Sequence, residues 1–346
     1  MKGVAAISTE LAAAAPAMDA LVEGGTALDA VLAGFLGAAA ERPDVLFAPL
    51  QILVAGPGVG ARAFDGRVRQ PGAGAPRPRG FVRGSAIPDT AYAGVPASLA
   101  AIAVAHAHDG SLSIAKLCAP AISAARRRGA DARASMLARF ARLGASALTD
   151  SVVARALVAA AGRVVGGLLT EEDLAAVRPA TEAPREILAD GSRRIIVPSW
   201  QSLLGAPGRR CEIIAAGDRR KVLAVLCYTP DEGGVRVPEL GVSLTRDAVP
   251  VMRGIPRTSP GTPCPAPKPL AILLEEVAAL VAIGARADVT PADDAWAAIA
   301  AQDAVGGMLE ELVRATSRAE AEVPSTAVSV VAGRGRNEMT AFGSQG

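Results

Sequence analysis

Cys211 is the residue whose type and setting most directly suggest chemistry. It lies in APGRRCEIIAAGDRRKVLAVLCY, residues 206–228, behind two arginines and at the start of a predicted strand. A thiolate is a strong nucleophile, and nearby arginines lower the pKa of a thiol. A cysteine at a strand start is also an ordinary structural residue. Two interpretations therefore stay open, a nucleophile or a half-buried structural cysteine.

Metal and nucleotide chemistry find little support in the sequence. The four cysteines are widely spaced and form no C-x-x-C pair, so a zinc site is not expected: Cys118, Cys211, Cys227 and Cys264. The only histidines, His106 and His108, stand at i and i+2 of a predicted helix and so face different sides. No G-x-G-x-x-G follows a strand, and no Walker sequence is present. We therefore expect no metal and no cofactor.

Composition limits the classes of partner. The 346 residues are 51% hydrophobic and 20% charged, with 36 basic and 34 acidic side chains and a net charge of +2. Such a balance argues against nucleic acids and anionic membrane surfaces as partners. No apolar run reaches the ~18–20 residues of a membrane span, and the N-terminal segment continues a helical pattern, unlike a signal peptide. The expected location is the cytoplasm.

The order of the predicted elements favours an α+β fold. In the first half, the pattern predicts helices over 8–25, 26–41, 95–110, 111–129 and 133–161, and a β-hairpin over 50–66. In the second half, it predicts strands at 194–198, 211–216, 221–228 and 235–244, a helix over 290–322 and a closing hairpin over 326–343. The run LAILLEEVAALVAIGA (270–285) is a strand pair or a strand followed by a helix. This order is typical of helices packed on antiparallel sheets.

Several stretches, in order along the chain, resemble the γ-glutamyltransferase family. AAISTELAAAAPAMDALVEGGTALDAVLA (5–33) is similar to the family's opening, in which one helix ends at Gly-Gly and Asn-Ala-x-Asp-Ala begins the next. AFDGR (63–67) resembles the family's Asp-x-Arg-Glu motif. GVPASLAAIAVAHAHDGSLSIAKLCAPAISAARRRG (94–129) and GGLLTEEDLAAVRP (166–179) match further signatures, and residues 234–269 resemble the segment beyond the nucleophile. The resemblance is collinear over most of the chain.

The resemblance implies the αββα sandwich of the N-terminal-nucleophile hydrolases. One domain would span 1–346, with a large-subunit-like part (1–205) and a small-subunit-like part (206–346). In the family, self-cleavage frees an N-terminal threonine, whose α-amino group is the base while its side chain forms an acyl-enzyme. When Asp218 is placed on the Asp of the family's Thr-Thr-His-x-Ser-Val-Val-Asp run, Cys211 falls on the nucleophile.

The resemblance also implies substrate-binding residues. Arg67 falls on the arginine that holds the substrate α-carboxylate, although a surface arginine after a hairpin is an equal alternative. The family's oxyanion glycine pairs are reduced here to single glycines, Gly205 in VPSWQSLLG and Gly284 in LVAIGARAD. Loss of one oxyanion donor costs ~3–4 kcal/mol of barrier. The hydroxyl side chains that surround the family's nucleophile are also missing around Cys211.

A second stretch resembles the nucleophile run. PSTAVSVVAGRGRNEMTAFG (324–343) would place Ser325 and Thr326 on the two threonines. Cleavage there would release only the last 21 or 22 residues. A collinear match instead puts this stretch at the family's final hairpin, which is the interpretation that we prefer.

Two functions follow from these features. The first is an amide hydrolase or acyltransferase on a γ-glutamyl-like or other acidic amide, with Cys211 as nucleophile and Arg67, Gly205 and Gly284 at the substrate. The alternative is a catalytically inactive relative that serves as a binding or partner subunit. Either would take a small-molecule amide or amino-acid-like ligand, and we expect a homo-oligomer or a partner subunit. Cleavage before Cys211 distinguishes the two, because the enzyme needs a free α-amino group there.

Overall fold

The computed structural model describes residues 4–8, 10–76, 78–190, 193–200, 212–265, 270–275, 280–285, 328–334 and 338–343. The helices in these ranges are α1 (Leu11–Val22), α2 (Ala27–Glu41), α3 (Ser98–Asp109), α4 (Ile114–Arg127), α5 (Asp131–Leu143), α6 (Ser151–Ala161) and α7 (Glu171–Ala176). The strands are β1 (Ala5–Ser8), β2 (Leu50–Gly56), β3 (Gly60–Gly66), β4 (Ala180–Glu182), β5 (Arg185–Asp190), β6 (Arg193–Val197), β7 (Glu212–Gly217), β8 (Leu223–Tyr228), β9 (Val235–Val237), β10 (Val242–Leu244), β11 (Leu270–Glu275), β12 (Leu280–Ala285), β13 (Val328–Arg334) and β14 (Glu338–Gly343).

Two antiparallel six-stranded sheets lie face to face. The first has the order β1-β7-β8-β2-β3-β4, and the second has the order β14-β13-β12-β11-β6-β5. Each sheet takes strands from both sides of residue 206. Alternate side chains of the first sheet meet those of the second in an apolar layer that includes Leu53, Ala63, Ile213, Val225, Ile196, Leu270 and Ile272. This layer is the centre of the sandwich.

The helices cover the outer face of the first sheet. Every residue of α2 from Ala27 to Ala40 is buried, because α1 packs on one side of it and the sheet on the other. A Cβ atom on Gly37 would lie 2.6 Å from Pro16 Cγ, and one on Gly34 would lie 2.9 Å from the Ala13 carbonyl oxygen. Glycine at these positions therefore lets α1 and α2 approach closely. The helix predicted over 290–322 lies outside the described residues.

The structure decides one open prediction and corrects another. Within 270–285, Leu270–Glu275 (β11) and Leu280–Ala285 (β12) are paired antiparallel strands. The single strand predicted over 235–244 is wrong, because β9 and β10 are separated by a 3₁₀ turn at Pro238–Leu240. Pro238 has no N–H to continue a ladder, and Gly241 turns the chain back with a φ of 63°, so the segment folds into its own two-stranded hairpin.

Within the described ranges, no single helix is long and apolar enough to cross a membrane. One pair of segments, Asp131–Thr149 and Ser151–Val165, reaches that length and composition together but is bent by 58°.

Candidate functional site

Arg67 and the first residue of β7 lie at the same end of the first sheet. The register aligns Gly66 of β3 with Leu50 of β2, Leu50 with Tyr228 of β8, and Tyr228 with Glu212 of β7. Three steps between neighbouring strands span about 15 Å. Arg67, which follows Gly66, therefore lies at the same end of the sheet as the start of β7.

The local sequence positions Arg67 by a close approach of the backbone. A Cβ atom on Gly66 would lie 2.6 Å from Leu50 Cδ1 and 3.0 Å from Ala101 Cβ. Only glycine fits between β2 and α3 without displacing them. The strand thus ends against α3, and the next side chain, Arg67, leaves the sheet at a fixed point.

Arg67 is held by Asp65, two residues earlier in the chain. Its Nε donates to Asp65 Oδ1 at 3.0 Å, its Nη2 donates to Oδ2 at 3.0 Å, and its backbone N–H donates to Oδ1 at 2.8 Å. The Arg67 side chain is only 14% exposed, and that of Asp65 is 3% exposed. The interpretation of Arg67 as a surface arginine is therefore wrong for this structure, since the guanidinium is largely enclosed.

The contacts of Arg67 leave one edge of its guanidinium open. Asp65 takes the side edge formed by Nε and Nη2. A guanidinium has five N–H donors in a planar fork. Within the described residues, the outer edge, formed by Nη1 and the second hydrogen of Nη2, makes no hydrogen bond. That edge has the geometry that binds a carboxylate in a bidentate pair.

Asp65 holds a second guanidinium besides that of Arg67. Its Oδ2 also accepts a hydrogen bond from Arg69 Nη2 at 2.9 Å, and the Arg69 side chain is 15% exposed. Two guanidinium groups therefore share the Asp65 carboxylate, and Asp247 adds negative charge beside Cys264, near the same two arginines. The feature that suits an anionic ligand is therefore the open edge of Arg67 rather than a surplus of positive charge.

A tryptophan from the segment after β6 covers Arg67. The Arg67 Cζ atom lies 5.3 Å from the centre of the Trp200 ring, which is a cation–π distance. The indole Nε1 of Trp200 donates a hydrogen bond to Gln51 Oε1 at 2.7 Å, and Gln51 is fully buried. Gln51 is the register partner of Asp65 on the neighbouring strand. The four side chains thus form one connected group between the two sheets.

Cys264 lies beside this group, but its thiol is not suited to nucleophilic attack. Its backbone N–H donates to the Val68 carbonyl oxygen at 2.8 Å. Burial, and to a lesser extent Asp247, raise the pKa of the Cys264 thiol to about 12, against the smaller lowering effects of Arg69 and Arg67. The thiol is therefore protonated near neutral pH, and the nucleophilic form is the thiolate.

Two of the four predicted site residues, Cys211 and Gly205, lie outside the described residues. So do Ser325 and Thr326 of the second nucleophile-like run. Gly284 lies within β12, in register with Leu270 of β11 on one side and Ser329 of β13 on the other. Its role as an oxyanion donor stays a prediction, and so does the nucleophilic role of Cys211.

The residue that anchored the nucleophile alignment has a structural role. Asp218 is buried at the opposite end of β7, where its Oδ2 accepts a hydrogen bond from the backbone N–H of Ala27 at 3.1 Å. Its Oδ1 accepts from the backbone N–H groups of Arg220 and Val222. Asp218 therefore joins the β7–β8 turn to the first turn of α2.

Two other carboxylates from the family-like signatures are also structural. Asp29 and Thr26 form a capping box at the start of α2, and Asp29 Oδ2 also accepts from the backbone and hydroxyl of Ser111. Asp173 and Thr170 form the same box at α7, and Asp173 also accepts from the backbone N–H of Gly72. In both stretches the aspartate caps the start of a helix and also binds a loop, so its role is to stabilise the fold rather than to take part in a reaction.

The histidines are used in local packing. His106 Nε2 is 2.5 Å from the Leu112 carbonyl oxygen, to which it donates as the Nε2–H tautomer. The His108 ring lies 5.6 Å from the Phe64 ring, centre to centre. In the part of the chain that the structure describes, no three His, Cys, Asp or Glu side chains are grouped as a metal site would require.

Sequence reasoning missed three members of the site. Asp65 stands in the same AFDGR stretch that identified Arg67, but the sequence does not show that it holds the guanidinium. Trp200 is one of only two tryptophans in the sequence and stands in VPSWQSLLG, the stretch that holds the predicted site residue Gly205, which was a usable signal. Gln51 carried no such signal, because a single polar residue in an apolar strand does not reveal its partner.

Several solved structures share the fold of this chain. No family model and no curated protein sequence matches the chain. Two structures of LmbA2991 superpose on it with TM-scores of 0.66 and 0.65, at 15% and 16% identity, and cover 88% of this chain and 83% of theirs. Cephalosporin acylase from Bacillus halodurans superposes with a TM-score of 0.61 at 14% identity, covering 80% and 75%. The chain therefore has the αββα fold of the N-terminal-nucleophile hydrolase superfamily, as its resemblance to the γ-glutamyltransferases implied.

Proposed function

We propose that the protein is an amide hydrolase or acyltransferase whose substrate carries a carboxylate, such as a γ-glutamyl-like amide. The fold supports this class of chemistry. The observation that carries the proposal is the Arg67 guanidinium, which is 14% exposed, held side-on by Asp65 and open at its outer edge. Arg67 lies at the end of the first sheet at which β7 begins. The predicted nucleophile, Cys211, immediately precedes Glu212, the first residue of β7.

The reaction would proceed through a thioester. Once the peptide bond between Arg210 and Cys211 has been cleaved, the new α-amino group takes the proton of the Cys211 thiol as the sulfur attacks the amide carbon. The carbon–nitrogen bond breaks, and the amine leaves with that proton. Water or a second amine then attacks the thioester and releases the thiol. Arg67 would hold the substrate carboxylate and thereby fix the position of the amide carbon.

The first test is the intact mass of the protein under denaturing and reducing conditions. Two fragments that meet between Arg210 and Cys211 are expected from wild type, because the mechanism requires a free α-amino group on the nucleophile. The variant Cys211→Ala should remain one chain. Cys264→Ala is the matched control and should be cleaved like wild type. An uncut wild-type chain would contradict this mechanism.

The second test is turnover of a γ-glutamyl anilide, followed by release of the aniline. Wild type and Cys264→Ala should turn over at similar rates, whereas Cys211→Ala should lose turnover completely. Unchanged turnover in Cys211→Ala would contradict the assignment of the nucleophile. If carboxylates bind to an uncut chain that shows no turnover, the binding or partner subunit becomes the better description.

A further inference from the structure

Trp200 is the residue that connects the second sheet to the Arg67 site. It follows β6 of the second sheet. Gln51 and Asp65 are in strands β2 and β3 of the first sheet, and Arg67 comes directly after β3. The indole is partly buried against the apolar layer between the sheets. Its two polar contacts, with Gln51 and with Arg67, both point to the candidate site.

The orientation of the guanidinium depends on two contacts in different directions. Asp65 fixes the Nε and Nη2 edge by two parallel hydrogen bonds, which prevents rotation within the plane. The Arg67 Cζ atom lies over the Trp200 ring, 5.3 Å from its centre, which limits movement of the guanidinium towards the ring. Together they hold the outer edge of Arg67 in one direction before any ligand arrives, and pre-ordering of this kind lowers the cost of binding.

Gln51 in turn fixes the indole. Its carbonyl oxygen is fully buried and accepts from Trp200 Nε1 at 2.7 Å. Moving the indole away would leave a buried acceptor and a donor without this bond, which is costly. Gln51 therefore positions Trp200, and Trp200 in turn positions Arg67.

We propose that Trp200 is the positioning and specificity residue of the Arg67 site: its indole directs the open guanidinium edge and contacts the carbon chain next to a bound carboxylate. This inference rests on the proposed carboxylate-binding function. The ligand class is a carboxylate whose neighbouring carbons are apolar enough to pack beside an indole. A ligand of this class neutralises the charge that faces the ring, so the fluorescence of Trp200 reports its binding.

The experiment uses the full chain with Trp296→Phe, which leaves Trp200 as the only tryptophan. Glutarate is the probe, and its uncharged diamide is the control ligand. We expect a saturable change in Trp200 emission with glutarate, none with the diamide, and none with glutarate after Arg67→Met. Calorimetry measures the same binding without relying on fluorescence.

Variants at Trp200 separate positioning from simple packing. Trp200→Leu should weaken glutarate binding about fivefold to tenfold, the size of a partly desolvated cation–π contact. Trp200→Phe keeps a ring but not the N–H, so it should bind more tightly than Trp200→Leu. Gln51→Met should weaken binding more in the parent chain than in the Trp200→Phe background, because the hydrogen bond to the indole is already absent there.

The outcomes distinguish this inference from the proposed function. Tight glutarate binding that is unchanged by both Trp200 substitutions, with emission unmoved, would overturn the role of Trp200 and leave the Arg67 site intact. Absence of glutarate binding to the parent chain would overturn the carboxylate site itself and the inference with it. Cooperative thermal unfolding of each variant shows that it has folded, and Trp200→Phe tests the inference if Trp200→Leu does not fold.

Discussion

Two buried aspartates at opposite ends of the first sheet each hold the arginine two residues later. Asp65 accepts from the backbone N–H of Arg67 at 2.8 Å and from its Nε at 3.0 Å, both at Oδ1, while Nη2 donates to Oδ2. Asp218 accepts from the backbone N–H of Arg220 at 2.9 Å through Oδ1, while Nε and Nη2 share Oδ2. Both are Asp-x-Arg turns, but only Arg67 forms two parallel side-chain hydrogen bonds with its aspartate.

The two arginines differ in what meets their outer edge. In Arg220, Nη1 and Nη2 donate to Asp109 at 3.1 and 2.7 Å, so two carboxylates occupy both edges. Hydrogen bonds to Asp109 and then to Asp218 raise the pKa of Arg220 above its ordinary value, against partial desolvation. Arg67 makes no such second contact in the described part of the chain. The free outer edge therefore separates Arg67, for which we propose carboxylate binding, from Arg220, whose contacts are structural.

The largest effect expected from this comparison follows substitution of Arg67. Arg67→Met should lower kcat/KM for a γ-glutamyl anilide by about 10–100-fold, because a charge-assisted hydrogen bond contributes roughly 1.5–3 kcal/mol. The matched 4-aminobutyryl anilide lacks only the carboxylate, so its turnover should change less than about threefold. Arg67→Lys keeps the charge without the fork and should lie between wild type and Arg67→Met. An equal loss with both anilides would show that Arg67 supports the fold rather than the carboxylate.

At the Asp218 end of the sheet, a substitution should lower stability without changing the preference between the two anilides. Asp218→Ala removes the acceptor for the Ala27 N–H at the start of α2 and for the Arg220 side chain. The free energy of unfolding, measured in urea, should therefore fall by about 2–3 kcal/mol. The ratio of activities on the two anilides should not change. A changed ratio without loss of stability would mean that the two ends are coupled in a way that the contacts do not show.

The difference between the two ends could not be predicted from the sequence. AFDGR and AGDRR both contain Asp-x-Arg, and the resemblance to the family drew attention to Arg67 for its function and to Asp218 for its position in the nucleophile run. The partner that closes Arg220 is Asp109, 111 positions away, and the residue that covers Arg67 comes from the opposite sheet. Such contacts arise from how the layers pack, which local patterns do not encode.

More of the fold than of the site could be predicted. The β2–β3 hairpin is confirmed, because apolar periodicity and glycine-containing turns are local signals. Periodicity left 270–285 open between a strand pair and a strand followed by a helix, and only the structure decides for the pair β11 and β12. The helix predicted over 133–161 is interrupted by a 3₁₀ segment, Gly144–Thr149, where Gly144 adopts a φ of 57°. A positive φ at glycine is easy to accommodate but is not signalled by the pattern of apolar residues.

A smaller effect, on the pH dependence of stability, is expected from the buried thiol of Cys118, which lies away from both ends of the first sheet. Burial raises the pKa of Cys118, in α4, to about 12 from an ordinary value of 9.0. The folded state therefore keeps this thiol protonated while the unfolded chain ionises above pH 9, so the stabilising contribution is present below pH 9 and falls as pH rises from 9 towards 12. Between pH 8 and pH 10, wild type should lose about 1 kcal/mol more unfolding free energy than Cys118→Ala, as measured by urea titration. Equal losses would show that Cys118 ionises as readily in the folded protein.

The smallest effect is expected from opening Arg220, and it tests the comparison most directly. Asp109→Ala removes the second acceptor and gives Arg220 an open outer edge like that of Arg67. Because the Arg220 side chain is 49% exposed, water can replace Asp109, and the stability cost should stay below about 1 kcal/mol. Calorimetry with glutarate should still find one site, since an exposed guanidinium gains little from a carboxylate in water. A second glutarate site of similar affinity in Asp109→Ala would mean that an open edge is sufficient. With no second site, an open edge alone is not sufficient, and enclosure by Asp65 and Trp200 is the further requirement for the binding role that we propose for Arg67.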